Sequence, residues 1–240
     1  MRREAGVTLI EVLIAVTLLS LLTTGMMVAL RIGLDSFSRV DTRLMDNRRV
    51  AGAQRIVEQE LEGLMPVVSP CAGAPMRLAF FQGEPQTMRL VSNFSLQQAW
   101  RGVPQILEIF VIAGEDGRGV RLVVNEIPYT GPQSAGQLCL GIMPDPQTGI
   151  SMPRFAEVTA GPHSFVLADK LAFCHFTYYT PLPDPRLPVA WRETWAKPGW
   201  PLAVRIDMAP LESDASRLQP ISVVAPIFIN RSPDTVYENF

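Results

Sequence analysis

No proline occurs before Pro66, and all 21 prolines lie at or after it. A proline inside a helix removes a backbone donor, clashes with the preceding turn and costs about 3 kcal/mol. The first 65 residues are therefore free to form one long helix, and the rest cannot hold much uninterrupted helix. At 240 residues and 48 % hydrophobic, the chain can bury a sizeable core as one domain, or as one domain with an appendage. A formal net charge of -2 and a pI near 5.8 argue against a nucleic-acid-binding protein, which needs a basic excess. High hydrophobicity with low net charge argues against a disordered chain.

Residues 1–6, MRREAG, are net positive. Residues 7–30, VTLIEVLIAVTLLSLLTTGMMVAL, carry one charge, Glu11, and Arg31 ends the run. About 20 apolar residues cross a bilayer as helix, so this segment is long enough to span. A cleaved secretory signal has a shorter apolar core, about 7–15 residues, closed by a small-residue site, and no such site follows here. Arg2 and Arg3 favour a cytoplasmic N-terminus, while Arg31 and Arg39 weaken that asymmetry. Glu11 is the odd residue, because a carboxylate in hydrocarbon costs about 2.5–3.5 kcal/mol on insertion scales. Two readings follow. Either Glu11 sits near the interface and snorkels, or it needs a cationic partner. A cut after Gly6 would supply one, the free ammonium of Val7. Glu11 lies four residues on, about 6 Å along the axis, so in a staggered helix bundle it would meet the Val7 amine of a neighbour.

Gly6-Val7-Thr8-Leu9-Ile10-Glu11-Val12-Leu13-Ile14-Ala15 resembles the type IV prepilin cleavage and methylation motif. That family has a short basic leader ending in Gly, then an apolar helix with Glu at the fifth mature position. The resemblance implies cleavage after Gly6 by a membrane prepilin peptidase and N-methylation of Val7. It also implies extraction of the subunit from the inner membrane into a filament, with Glu11 as the subunit-pairing carboxylate. Val7 stands where the first mature residue is usually Phe, a substitution that minor members accept. Val28 stands where many major pilins carry a proline; Thr23, Thr24, Gly25 and Gly33 are the nearest helix-weakening residues.

The helical pattern continues past Arg31. Leu34, Phe37, Val40, Leu44, Val50, Ala53, Val57, Leu61 and Leu64 recur at mostly three- and four-residue steps, with polar residues between. That is a stripe able to pack on a domain, although a solvated coiled-coil stalk is the other reading. Asp35 and Arg39, at i and i+4, add a few tenths of a kcal/mol. Gly63 and Pro66 should end the helix.

After Pro66 the chain reads as short β-type runs between Pro and Gly. The expected strands are 77–81, 87–93, 106–113, 119–126, 137–143, 163–168, 171–179, 202–208 and 220–229. Residues 114–118 read as a hairpin loop, and Pro226 makes the last run an edge strand or ends it early. The expected fold is α+β: a long N-terminal pilin-type helix, half membrane-spanning and half amphipathic, packed on a mostly antiparallel β domain. The expected segments are a leader at 1–6, a transmembrane half at 7–30, an amphipathic half at 31–65 and a β-rich domain at 66–240.

Within that domain, Lys170-Leu171-Ala172-Phe173, Tyr178-Tyr179, Trp191, Trp195 and Trp200-Pro201-Leu202-Ala203-Val204-Arg205-Ile206 are similar to the closing region of the J-type minor pseudopilins of type II secretion. Glu11 separates the chain from the K type, which typically lacks that carboxylate. This resemblance implies a structural subunit of the pseudopilus tip, needed for pseudopilus assembly and protein secretion. The globular domain would be periplasmic on a single inner-membrane pass. The implied partners are the prepilin peptidase, the I- and K-type minor pseudopilins and the major pseudopilin, and no nucleic acid. A minor pilin of a type IV pilus or DNA-uptake system is the alternative within the class, and a membrane-anchored periplasmic enzyme or binding protein the alternative outside it.

Enzyme signals are weak. His163 follows Gly-Pro in a turn, and His175 lies among aromatics. Cys174 and His175 are adjacent, so in a strand they point to opposite faces. G-x-S-x-G, H-E-x-x-H, P-loop and dinucleotide-binding glycine patterns are missing. Asp116 and Asp145 read as turn residues, without the alternating spacing of a calcium loop. The expectation is no catalytic residue, no metal and no cofactor. Among the three cysteines, Cys139 and Cys174 are the candidate disulfide, with Cys71 a competing partner and three buried thiols the remaining reading. Trp191, Trp195 and Trp200 sit in a proline-rich stretch, read either as a loop folded back on the domain or as a subunit contact.

Overall fold

The computed structural model describes residues 9–71, 77–98, 100–115, 117–144, 149, 151–162, 164–180, 190–195, 197, 199–211 and 220–228; the side chains of 37–51, 100 and 101 lie outside that description. The chain divides into two units, Met1–Arg48 and Arg49–Phe240.

Helix α1 runs Leu9–Glu62, the long proline-free helix expected. In the first unit its stretch Leu9–Ser36 has a mean hydropathy of 2.2, long and apolar enough to cross a membrane. Every side chain described there is exposed. In the second unit the stripe turns inward, with Ala53, Val57 and Leu61 buried and Leu64 packed beside them. The helix stops where Gly63 and Pro66 predict. The Gly63 N–H donates to the Gln59 carbonyl (3.0 Å) and the Leu64 N–H to the Leu61 carbonyl (3.2 Å), which satisfies carbonyls left open at the helix end.

The strands are β1 Val68–Pro70, β2 Arg77–Ala79, β3 Gln82–Gly83, β4 Thr87–Ser95, β5 Trp100–Ala113 and β6 Val120–Pro128. After the short helix α2, Pro132–Gly136, come β7 Cys139–Pro144, β8 Ser151–Phe155, β9 Phe165–Thr180, β10 Ala190–Arg192, β11 Ala203–Pro210 and β12 Ile221–Pro226. The main sheet has the order β12-β11-β9-β6-β5-β4-β3, with β10 also paired to β9, and its pairings are antiparallel. β1 with β2 and β7 with β8 form two small separate sheets. The fold is thus α+β, as expected. β12 is an edge strand ending at Pro226, and the 114–118 hairpin joins β5 to β6, closed by the Gly114 N–H on the Gly119 carbonyl (3.0 Å).

Alternation along β4 and β5 sends side chains into two cores. Met88, Leu90, Leu107 and Ile109 join Ala53, Val57 and Leu61 of the helix, together with Phe176, Tyr178, Val204 and Ile206. Val91 and Ile106 face the other way and meet Val67, Phe80 and Ala135, with Leu138 and Phe155 beside them. Both faces of these strands are therefore covered, which is why β5 carries the apolar run Ile109-Phe110-Val111-Ile112-Ala113.

Two expected strands, 163–168 and 171–179, are one. Asp169-Lys170 looks like a break in the sequence, but it is a bulge inside β9, with Lys170 at φ 55. There β9 changes partner from β6 to β11, and Leu171 is in register with both. The Asp169 side chain accepts the Lys170 N–H (2.7 Å) and so holds the left-handed conformation locally. The sequence pattern missed β1, β3, β8, β10 and α2, all five residues or fewer. At the far end of the sheet, Gly83 lets β3 fold back on β9. A Cβ there would sit 2.7 Å from the Tyr178 ring and 2.8 Å from the Trp195 Cβ. The Trp195 N–H donates to the Gly83 carbonyl (2.8 Å), and the Phe176 N–H to the Pro85 carbonyl (2.9 Å).

Candidate functional site

Gly6 and Val7 lie outside the described residues. Glu11 sits in the first turn of α1, where the positive end of the helix dipole favours a carboxylate. It is exposed, has no ion-pair partner among the described residues and is the lone charge in residues 7–30. The helical steps from Glu11 to Arg31 cover about 30 Å, the thickness of a hydrocarbon core. The two charges thus bracket one membrane's worth of apolar helix. Leu13, Leu18, Leu21 and Met27 on this segment are all more than half exposed, which is consistent with membrane anchoring.

The β domain holds its own charge differently. Arg89 of β4 is wholly buried and lies in register with Glu108 of β5. Its Nε and Nη2 donate to Glu108 Oε1 (3.0 and 2.7 Å), Nη1 to Gln82 Oε1 (2.7 Å), and Nη2 also to the Ala156 carbonyl (2.9 Å). The guanidinium lies 5.2 Å from the centre of the Phe155 ring. The other Glu108 oxygen accepts from Asn125 (2.9 Å), which also donates to the Thr159 carbonyl (3.1 Å) and accepts from the Ser164 hydroxyl (2.6 Å). The cluster ties Ala156, Thr159 and Ser164 to the main sheet, and its polar groups satisfy one another. Its sequence signal is one lone Arg and one lone Glu inside neighbouring apolar strand runs.

The candidate Cys139–Cys174 bridge is not formed; the disulfide joins Cys71 and Cys139, with Cα atoms 5.1 Å apart. The reason is the two-sided sheet. Cys174 of β9 points into the core shared with the helix, whereas Cys139 opens β7 beside the second core. Cys71 reaches Cys139 because α2 packs on β1: a Cβ on Gly136 would lie 2.5 Å from the Pro70 carbonyl. Cys174 is a buried free thiol whose pKa burial pushes up to about 12, with Asp207 adding to the rise, so it is inert.

His175 points out of the sheet, opposite to Cys174, and stacks on Phe173 (5.8 Å). His163, Asp116 and Asp145 lie outside the described residues. The three tryptophans of the proline-rich stretch all contact their own domain. Trp195 is buried and donates to the Gly199 carbonyl (3.1 Å), and Trp200 packs against the core. Trp191 lies on the outer face between Tyr179 (5.4 Å) and the Arg205 guanidinium (5.0 Å). Near the bulge, Arg121 forks onto Asp169 (2.8 Å to each oxygen) and reaches Glu115 (2.7 Å); the first contact holds the Asp169 carboxyl below its usual range. No group of three or more potential metal ligands occurs among the described residues.

No curated protein sequence matches the chain. Residues 1–27 match the family described as "Prokaryotic N-terminal methylation motif", so the chain carries a type IV pilin-like prepilin signal on an apolar helix that leads into an antiparallel β domain.

Proposed function

We propose that the chain is a minor pseudopilin of the J type, a structural subunit of the type II secretion pseudopilus tip that works by assembly and not by catalysis. The observation that carries this is the methylation motif joined to a lone carboxylate, Glu11, in a helical stretch, Leu9–Ser36, whose apolar side chains are all exposed. A prepilin peptidase cuts after Gly6 and methylates Val7. The new ammonium of one subunit pairs with Glu11 of the next, and the apolar helix leaves the inner membrane for the filament core. The β domain stands in the periplasm, a location supported by its disulfide, since such bonds persist in oxidising compartments. There it binds I- and K-type minor pseudopilins and the major pseudopilin. The methylation motif equally favours a second reading, a minor pilin of a type IV pilus.

The test is N-terminal sequencing of the protein from its host envelope, with Gly6→Leu and Glu11→Ala beside it. The expected mature end is methylated Val7 in the wild type and Met1 in Gly6→Leu. Glu11→Ala is cut normally but fails to enter filaments. Met1 retained in the wild type, or normal incorporation of Glu11→Ala, overturns the assignment. Pseudopilins rather than pilins in cross-linked complexes separate the two readings.

A further inference from the structure

Glu60 lies in the last turn of α1 with its side chain wholly buried, and the Ser92 hydroxyl is the one side-chain donor among the described residues that acts on its carboxylate. An ion in that place has neither water nor a counter-charge, a state that proteins avoid by keeping the group neutral. The negative end of the helix dipole disfavours charge there too. The groups that act on it are few. From β4 comes the Ser92 hydroxyl, and from β6 the like charge of Glu126, whose oxygens accept from the backbone of Leu96 and Gln97 and from the Ser95 hydroxyl. On α1 itself, Arg55 and Glu62 are exposed and Glu58 accepts from Gln54 (3.1 Å). No cation pairs with Glu60 among the described residues. Burial raises its pKa to about 7, the Ser92 hydroxyl opposing and Glu126 adding to the rise.

The surroundings form a seam. Immediately after Glu60 the chain crosses onto β4: the Asn93 N–H donates to the Gly63 carbonyl (2.8 Å), the Met65 N–H donates to the Val91 carbonyl (2.8 Å), and Leu64 pairs with Ser92. The fit leaves no slack, since a Cβ on Gly63 would lie 2.9 Å from Ser92 Oγ. For the Glu60 carboxylate to reach water, this last turn must lift from β4.

We propose that Glu60 is a proton-operated latch on the seam between the end of α1 and β4, protonated when the seam is closed and giving its proton to the solvent as the seam opens. The latch works whichever filament the helix enters, because it concerns only the grip of the β domain on its own helix. The sign follows from linkage. The closed state holds the proton more tightly than the open one, so the seam is tightest at low pH. It weakens as pH rises from the ordinary carboxyl value of 4.5 through about 7.

The test is hydrogen exchange of the full chain in detergent micelles, at about pH 5.5 and about pH 8.5, with rates corrected for intrinsic exchange. Protection over 59–66 and 88–95 should fall about 30-fold between these conditions in the wild type, the ratio set by titration at 7 when closed and 4.5 when open. Protection over β11 should not change. Glu60→Gln, which cannot ionise, should be flat across the range. A flat wild type, or an equal fall in Glu60→Gln, overturns the latch. Should Glu60→Gln fail to fold, Glu60→Met is read in its place. The wild type alone also decides, since a seam whose protection ignores pH has no latch.

Discussion

Glu11 and Arg89 are both charges set among apolar residues, but the chain treats them in opposite ways. Arg89 is buried inside the β domain with Glu108, Gln82, the Ala156 carbonyl and the Phe155 ring around it. Glu11 has no such shell among the described residues, and the side chains around it, Leu9–Ser36, are all exposed. One charge is neutralised within the subunit, so it serves the fold. The other has no partner among the described residues, as the assembly role proposed for it requires. The helix repeats the contrast in its apolar residues. Leu21 is 69 % exposed and Leu61 1 %, though both are leucines on the same helix.

The sharpest way to break this comparison is to remove each charge. Arg89→Met leaves Glu108 buried without its cation and should destabilise the β domain by about 3–5 kcal/mol in urea unfolding followed by tryptophan fluorescence. Glu11→Gln should leave the same transition where it was. Equal effects would mean that the two charges do the same work. Next in size is the pair of leucines. Leu61→Ala should cost about 3 kcal/mol through lost packing and the cavity left behind, and Leu21→Ala less than about 0.5 kcal/mol. A large loss from Leu21→Ala would show that the apolar half of α1 is covered by its own chain. The smallest effect belongs to the bulge. Lys170→Gly should stabilise the domain by about 1 kcal/mol or less, because glycine carries no steric penalty at positive φ. A destabilised Lys170→Gly would mean that the lysine side chain supports the bulge.

Much of this was legible from residue order. The proline-free start, the apolar run, the Gly63 and Pro66 stop, and the Ala53, Val57, Leu61 and Leu64 stripe all depend on local spacing, and the structure keeps them. So do the hairpin after β5 and the edge position of β12. What could not be read depends on contacts far apart in sequence. Asp169-Lys170 looks like a turn until β6 and β11 are seen on either side of Leu171. Cys71 and Cys139, 68 residues apart, pair only because α2 packs on β1. Glu60 looks like one more surface glutamate on a polar helix, and its burial appears only when the end of α1 packs on the sheet beside β4.

Sequence alone determined that this chain is a long helix followed by a β-rich domain, and that its first residues carry a processing signal with one carboxylate nearby. These are properties of spacing, hydropathy and proline placement, which act within a few turns of chain. Tertiary structure alone decided which cysteines join, which charges are enclosed and which carboxyl loses its water. Those outcomes follow from how the two faces of one sheet are covered, and desolvation is set by neighbours in space, whatever their distance along the chain.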